Sequence, residues 1–319
     1  MGGLDRAPQA PRRSGHPGEA GTPLEAPGAR RAPGNPGHSS IPGEFPSPAG
    51  SPGSFAHLRG FVFDLDGCVW NGSALEPGAR EALLALHGRG RALGFLSNNS
   101  RATGEDLRRR LHGHGITVAE HVVTPLEIIG EFIAERFGPS RVLVMGAAEL
   151  AEAVRRGGHA LVGFDDAPQA TVVVVGNDFD VTYARIAAAA RAAAAGAPLV
   201  TPNMDPRLPV EGGDFLPGCA AFVESVAVAA GVRPLVVGKP DPPLFHVTMR
   251  RMGVSPDLTA MIGDSPAADM RGGRAAGMRT ILYAPKGHDN PDDAEVVIRS
   301  FAELLVLAGV APADPGGVR

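Results

Sequence analysis

Short apolar runs alternate with longer helical stretches along most of this chain. The runs are nearly continuous in valine, isoleucine and leucine, which is typical of strands covered on both faces. Strands are predicted at residues 60–65, 92–97, 142–145, 171–176, 259–263, 279–283 and 295–298. Helices are predicted at residues 77–88, 103–112, 125–137, 148–156, 182–195, 215–230, 242–252 and 266–276. Such alternation indicates an α/β protein with parallel sheet.

The first 55 residues follow no such pattern. Proline or glycine occupies 22 of these positions. Proline cannot donate to helices or sheets, glycine raises the entropy cost of ordering, and little apolar surface is present to offset either. We therefore expect residues 1–55 to form a disordered tail.

Composition excludes several classes of protein. Of 319 residues, 44% are hydrophobic, and the net charge is −4 without a long basic run, which argues against a nucleic-acid partner. We expect no membrane partner either, because no apolar run reaches 18 residues. Two cysteines, Cys68 and Cys219, suit a reducing cytoplasm better than a disulfide scaffold.

An apolar run ends at two aspartates, Asp64 and Asp66, just before Gly67. Side chains two positions apart on a strand point the same way, so both carboxylates are expected to enter one small space. That pair suits acid/base work, Mg²⁺ binding, or both. The alternative is a pair of solvated aspartates in an ordinary turn.

Other polar groups follow other predicted strands, where ligands of parallel sheets bind. They are Ser97 with Asn98 and Asp264 with Asp269, and Lys239 follows a further short apolar run at 235–237. Each could instead belong to a polar turn or a helix cap, but four such coincidences in order, counting Asp64 with Asp66, are implausible together. The set predicts a phosphate and Mg²⁺ site.

The chemistry of these side chains fits phosphoryl transfer. Mg²⁺ prefers hard oxygen ligands, which Asp64 and Asp264 can supply. Lys239 and Ser97 are suited to neutralising phosphate oxygens. An aspartate can also act as nucleophile while a second carboxyl protonates the leaving oxygen.

The order Asp-Leu-Asp-Gly at 64–67, Ser-Asn at 97–98, Lys239, and Gly-Asp-x-x-x-x-Asp at 263–269 resembles the haloacid dehalogenase superfamily of Mg²⁺-dependent phosphatases. Finer detail at 66–70, 95–100, 201–209 and 237–240 resembles its branch of phosphoglycolate, glycerol-3-phosphate, pyridoxal phosphate and p-nitrophenyl phosphate phosphatases. The resemblance implies a doubly wound, Rossmann-like parallel-sheet core at residues 56–139 and 234–310. It also implies an inserted α/β cap domain at 140–233.

The resemblance further implies a role for each motif residue. Asp64 would be the nucleophile, Asp66 the general acid and then base, and Lys239 the cation that neutralises the phosphoryl group and steadies Asp64. Ser97 and Asn98 would hold that group.

The implied metal site has its own residues. Asp64, Asp264 and the backbone carbonyl of Asp66 would bind Mg²⁺, and Asp269 would orient these ligands.

The resemblance therefore predicts a cytoplasmic, Mg²⁺-dependent phosphomonoesterase that acts on a small phosphorylated metabolite. Arg207 would contact a carboxylate or second phosphate of the substrate, although a surface arginine in a loop is an equal alternative. Two other functions stay open: a nucleotide or pyridoxal phosphate phosphatase, and a catalytically silent phosphate-binding regulator. Self-association as a homodimer through the cap is a further hypothesis.

Overall fold

The computed structural model describes residues 54–209, 214–288, 290 and 293–310. The predicted tail therefore lies outside the described residues, apart from its last two positions. No helix within the described residues has both the length and the apolar character needed to cross a bilayer.

Strands and helices alternate along the described chain. The strands are β1 Gly60–Asp64, β2 Trp70–Asn71, β3 Ala74–Leu75, β4 Ala92–Leu96, β5 His121–Val123, β6 Arg141–Met145, β7 Ala160–Val162, β8 Val172–Val175, β9 Leu199–Thr201, β10 Arg207–Pro209, β11 Phe215–Pro217, β12 Leu235–Val236, β13 Thr259–Gly263, β14 Arg279–Tyr283 and β15 Val296–Ile298. The α-helices are α1 Ala79–Gly88, α2 Gly104–Gly113, α3 Pro125–Phe137, α4 Ala148–Arg156, α5 Tyr183–Ala194, α6 Cys219–Ala230, α7 Pro242–Met252, α8 Arg271–Ala275 and α9 Phe301–Leu307.

Six parallel strands form the first sheet, in the order β15-β14-β13-β1-β4-β5. Both faces of this sheet are covered. Phe61 and Phe63 of β1 pack in one apolar cluster with Phe301 of α9, whereas Val62 packs in a second cluster with Met249 of α7. The nearly continuous apolar run at residues 60–63 follows from this double burial.

Five parallel strands form the second sheet, in the order β12-β9-β8-β6-β7. One of its faces packs in the second of these clusters, the one that contains Val62. Val142 and Val174 are buried there together with Val62 and Leu96. The other face packs on α5 and α6 through a separate cluster. The predicted fold class, a doubly wound parallel core with an inserted α/β unit, is confirmed.

Strand β12 belongs to the second sheet, although its residues lie in a segment that is predicted to be part of the core. Residues 234–310 are predicted to belong to the core, yet Leu235 and Val236 of β12 pair with Val200 and Thr201 of β9 in the second sheet. A strand of two residues carries no periodicity that would reveal its partner, so only the fold decides its pairing.

The helix predicted at residues 215–230 begins later than expected. Phe215–Pro217 forms strand β11, antiparallel to β10, and the helix starts at Cys219 after Gly218 as its cap. Proline lacks the amide that a helix interior needs, so Pro217 favours a boundary there.

The last residue of the predicted tail belongs to the core. Phe55 is buried, its amide donates to the Leu307 carbonyl at 3.0 Å, and the Arg279 guanidinium lies 4.6 Å from its ring centroid. The expectation that residue 55 belongs to the tail is therefore wrong. A single aromatic residue beside a proline- and glycine-rich segment does not reveal that the fold buries it.

We predict that the tail boundary falls between Ser54 and Phe55. Replacing residues 1–54 by an initiating methionine should leave stability nearly unchanged, because the composition of that segment offers little to bury. Phe55→Ala in the full chain should lower the free energy of unfolding by about 3 kcal/mol, since it leaves a cavity. Urea titration measures both, and Tyr183→Ala, at an exposed aromatic, is the control. Equal effects of Phe55→Ala and Tyr183→Ala would contradict the assignment.

Candidate functional site

The carboxyl ends of strands from both sheets meet at one place. Asp64 ends β1, and its neighbours in the first sheet, β4 and β13, lead into Ser97 and Asp264. In the sheet, β4 and β5 lie on one side of β1, and β13, β14 and β15 lie on the other. The strand order therefore reverses at β1, and such a topological switch point is where open α/β sheets bind ligands. The second sheet contributes Lys239, three residues after β12.

A buried ammonium group links two carboxylates at this meeting point. Lys239 Nζ donates to Asp64 Oδ1 at 2.5 Å and to Asp269 Oδ1 at 2.6 Å. The exposed fractions are 5% for Lys239, 5% for Asp64 and 0% for Asp269. Charged groups buried this completely are stable only when they are paired with groups of opposite charge. Two of the three ammonium donors are therefore engaged, and one is left for a ligand.

The electrostatics of the cluster follow from burial. Removal from water raises the pKa of Asp64 well above its usual value, Lys239 opposes that shift, and the negative charge of Asp269 adds to it. Burial acts to lower the pKa of Lys239, but Asp269 and Asp64 outweigh it and raise the pKa overall. The two carboxylates therefore favour the charged form of Lys239.

Three carboxylates are close enough to share a metal ion. One oxygen each from Asp64, Asp264 and Asp269 lies within 4.8 Å of the others. Desolvation, and then the charge of Asp269, raise the pKa of Asp264. When ionised, the three carboxylates carry more negative charge than the single ammonium of Lys239 balances. An all-oxygen donor set with surplus negative charge fits a hard divalent cation.

Gly67 allows this cluster to close. Its φ is +94°, and a Cβ atom built there would lie 2.3 Å from Asp264 Oδ2. Any side chain at position 67 would displace the Asp264 carboxylate. The close approach also brings Asp264 beside the peptide unit that carries the Asp66 carbonyl.

Asp66 lies at the edge of the site and is exposed. Its Oδ1 accepts from Trp70 Nε1 at 2.8 Å, and its Oδ2 accepts from the Ser97 hydroxyl at 3.3 Å. The buried indole of Trp70 thus fixes the carboxylate while leaving it open to solvent. Such a group can exchange protons with a leaving group or a water molecule.

The side chain of Asn98 is engaged by protein groups. Its Oδ1 accepts from the Lys239 amide at 2.8 Å, and its Nδ2 donates to the Lys239 carbonyl at 3.1 Å and to Asp205 Oδ1 at 3.3 Å. The expectation that Asn98 holds the phosphoryl group stays a prediction, but its side-chain amide already has these partners. The Lys239 ammonium keeps a third donor, whereas the single proton of the Ser97 hydroxyl is directed at Asp66 and would have to turn to reach a ligand.

Sequence reasoning singled out the segment 201–209 but gave Asn203 and Asp205 no role of their own in the site. Asn203 Nδ2 donates to the Asn98 carbonyl at 2.6 Å, and Asn203 Oδ1 accepts from the Asp205 amide at 3.1 Å. The signal that could have found them is two polar side chains directly after an apolar stretch at 198–200, but β9 itself is absent from the predicted strands.

The structure places Arg207 outside the carboxylate cluster. It begins β10, is exposed, and stacks on Phe215 of β11 with 4.2 Å between guanidinium carbon and ring centroid. It lies two residues after Asp205, so the same segment carries a site residue and this arginine. A role for Arg207 in substrate binding stays a prediction.

Comparison with known proteins gives concordant family matches. A model described as haloacid dehalogenase-like hydrolase matches residues 61–160, and one described as HAD-hydrolase-like matches residues 236–309. Both matched segments contain residues of the cluster.

Individual relatives have related activities in their names. The chain is 32% identical to human glycerol-3-phosphate phosphatase over 247 residues, covering 69% of this chain and 77% of that protein. It is 32% identical to the 5′-nucleotidase YutF of Bacillus subtilis over 225 residues, covering 70% and 86%. The solved structure of a 4-nitrophenylphosphatase from Thermotoga maritima aligns with a TM-score of 0.69 at 27% identity, covering 78% and 97%.

We predict that Gly67→Ala weakens divalent-cation binding while the protein stays folded. The added methyl group would push Asp264 out of the cluster, so Mg²⁺ affinity should fall roughly 10- to 100-fold, as when ligand-positioning residues change. Gly72→Ala is the matched control, because Gly72 also has positive φ, +58°, but nothing lies within 4 Å of its added Cβ. Calorimetric titration with Mg²⁺ measures the affinities, and Mg²⁺ binding by Gly67→Ala as tight as by Gly72→Ala would refute the prediction.

Proposed function

We propose, from the premise that this chain belongs to the haloacid dehalogenase-like hydrolases and is one of their phosphatases, that it hydrolyses small phosphorylated metabolites with Mg²⁺ through an aspartyl-phosphate on Asp64. The observation that carries the proposal is the buried Lys239 ammonium held between Asp64 and Asp269, beside a third carboxylate. This arrangement offers a nucleophile, a fixed cation and metal ligands within one small space.

In the first step, an oxygen of Asp64 attacks phosphorus as the bond from phosphorus to the leaving alcohol breaks. Burial disfavours the ionised carboxylate that this step requires by raising the pKa of Asp64, and the Lys239 cation opposes that effect. The remaining Lys239 donor would hold a phosphoryl oxygen, and the Ser97 hydroxyl would do so after turning away from Asp66.

Asp66 completes both proton transfers. It gives a proton to the leaving oxygen in the first step and takes one from the hydrolytic water in the second, which restores Asp64 and releases phosphate. Its exposed position and its fixed orientation on Trp70 support this role.

Mg²⁺ would be held by Asp64, Asp264 and the Asp66 carbonyl, with Asp269 orienting these ligands, and it would neutralise phosphate charge. The close packing of Gly67 against Asp264 supports this assignment.

The substrate class is the finer part of the proposal. We infer a small anionic ester such as phosphoglycolate or glycerol 3-phosphate, in line with the name of the human relative. The 5′-nucleotidase relative favours a nucleotide as the second candidate. Three aromatic rings of the inserted unit could stack on a base or a pyridine ring. Phe215 and Phe179 already stack on Arg207 and Arg101, and Tyr183 is exposed.

Phosphate release from a panel of phosphate esters tests the function. Activity should require Mg²⁺, vanish on treatment with EDTA and return when Mg²⁺ is restored. Asp64→Asn should abolish turnover with an unchanged thermal midpoint, because an amide keeps an acceptor for Lys239 but cannot attack phosphorus. Full activity after exhaustive chelation, or turnover by Asp64→Asn, would overturn the mechanism.

Asp66→Asn should slow hydrolysis according to the leaving group. Turnover of an alkyl ester should fall roughly 10²- to 10⁴-fold, and that of p-nitrophenyl phosphate much less, since nitrophenolate leaves with little protonation. The asparagine oxygen still accepts from Trp70, so the local structure is retained. Equal losses for both esters would remove the general-acid role.

Arg207→Ala tests the choice of substrate. If Arg207 meets a substrate anion, kcat/KM for phosphoglycolate should fall roughly 10- to 150-fold, as a charge-assisted contact is worth about 1.5–3 kcal/mol. Hydrolysis of p-nitrophenyl phosphate, which has no second anion, should barely change. Similar small losses of kcat/KM for both esters would show that Arg207 does not contact a substrate anion.

A further inference from the structure

The catalytic lysine must act across the boundary between the two sheets. Its backbone follows β12, which pairs with β9 in the second sheet, whereas its ammonium meets Asp64 at the end of β1 in the first. A small shift of one sheet relative to the other would withdraw the ammonium from Asp64. Something must therefore fix the Lys239 backbone relative to the first sheet.

Asn98 provides that attachment. It follows β4, the neighbour of β1, and its side-chain amide bonds to both the amide and the carbonyl of Lys239. Asn98 accepts one of these hydrogen bonds and donates the other, and together they fix the position and the orientation of the Lys239 backbone. Gly238 permits this approach, because a Cβ atom there would lie 2.6 Å from Asn98 Oδ1.

The segment after β9 in turn holds Asn98. Asp205 Oδ1 accepts the remaining donor of the Asn98 amide, and Asn203 donates to the Asn98 carbonyl. A carboxylate can only accept, so Asp205 favours the amide orientation in which nitrogen faces it and oxygen faces the Lys239 amide. A flipped amide would set oxygen against Asp205 and NH₂ against the Lys239 N–H.

We propose that Asp205 is a positioning residue for Lys239, acting through the Asn98 amide. The inference rests on the proposed function, since it concerns how that catalytic lysine is held. It assigns Asp205 no contact with the substrate: its carboxylate meets the Asn98 amide, and Asn98 transmits the constraint to the Lys239 backbone.

Two other roles for Asp205 make different predictions. A carboxylate that touched the leaving group would affect some esters far more than others. A carboxylate that only stabilised the second sheet would change the thermal midpoint without changing catalysis by the folded fraction. A positioning residue should weaken turnover of every ester by the same factor, because each substrate presents the same phosphoryl group to Lys239.

The first experiment compares Asp205→Ala with Asp205→Asn. Asp205→Ala should lower kcat/KM by a similar factor, roughly tenfold, for phosphoglycolate and p-nitrophenyl phosphate, as expected for loss of a charge-assisted hydrogen bond. Asp205→Asn retains an acceptor oxygen and should restore most of that loss. Asp165→Ala, which removes an exposed carboxylate from the same inserted unit, should leave both rates unchanged. If Asp205→Ala does not fold, Asp205→Val removes the acceptor at similar volume.

The second experiment is a double-mutant cycle on binding of inorganic phosphate by calorimetry, which needs no turnover. Asp205→Ala should weaken phosphate binding in the parent protein but not in Lys239→Ala, because the lysine through which it acts is gone. An equal loss in both backgrounds, an ester-selective loss, or no rescue by Asp205→Asn would overturn the proposal. If the parent hydrolyses no ester, the proposed function fails, and the binding cycle still decides the role of Asp205.

Discussion

The structure depends on one buried interaction, the ammonium of Lys239 between the carboxylates of Asp64 and Asp269. These three groups are almost completely removed from water, which is tolerable only because each has a charged partner at 2.5–2.6 Å. Loss of Lys239 would leave two carboxylates in the interior without a compensating cation. The same arrangement is chemically useful, because a cation fixed against a carboxylate can also face a phosphoryl group without reorganising.

Most of the fold serves to bring these groups together. Asp64 ends a strand of the first sheet, and Asp269 lies on the helical turn that follows β13. The lysine follows a strand of the second sheet, so the relative position of the two sheets must be fixed. An apolar cluster that includes Val62 of the first sheet and Val174 of the second packs the two sheets together. The Asn98 amide joins them at the site itself, with two hydrogen bonds to the Lys239 backbone. Apolar burial supplies the general attachment, and the directional hydrogen bonds supply the accuracy.

Charge balance explains why this centre suits metal-assisted phosphate chemistry. One lysine faces three carboxylates, so the cluster favours a further cation. In the proposed reaction an ester phosphate would then have positive charge on both sides. Gly67 and Gly263 make the compactness possible, because a Cβ at either would lie 2.3 Å from a carboxylate oxygen of Asp264 or Asp269. Asp66, the proposed proton-transfer residue, lies apart in a more exposed position, which suits a group that exchanges protons.

The sequence by itself determined the local features: buried strands from continuous apolar runs, helices from caps and periodicity, and polar residues at strand ends. These local patterns are sufficient to single out Asp64, Asp264 and Lys239. Only the tertiary structure decided which strands pair: β12 has two residues and no pattern of its own, so its place in the second sheet depends on contacts distant in sequence. The roles of Asn98 and Asp205 were hidden for the same reason, because hydrogen bonds between residues more than 100 positions apart leave no local signal. Burial of Phe55 likewise follows from where the chain packs, which one aromatic residue cannot reveal.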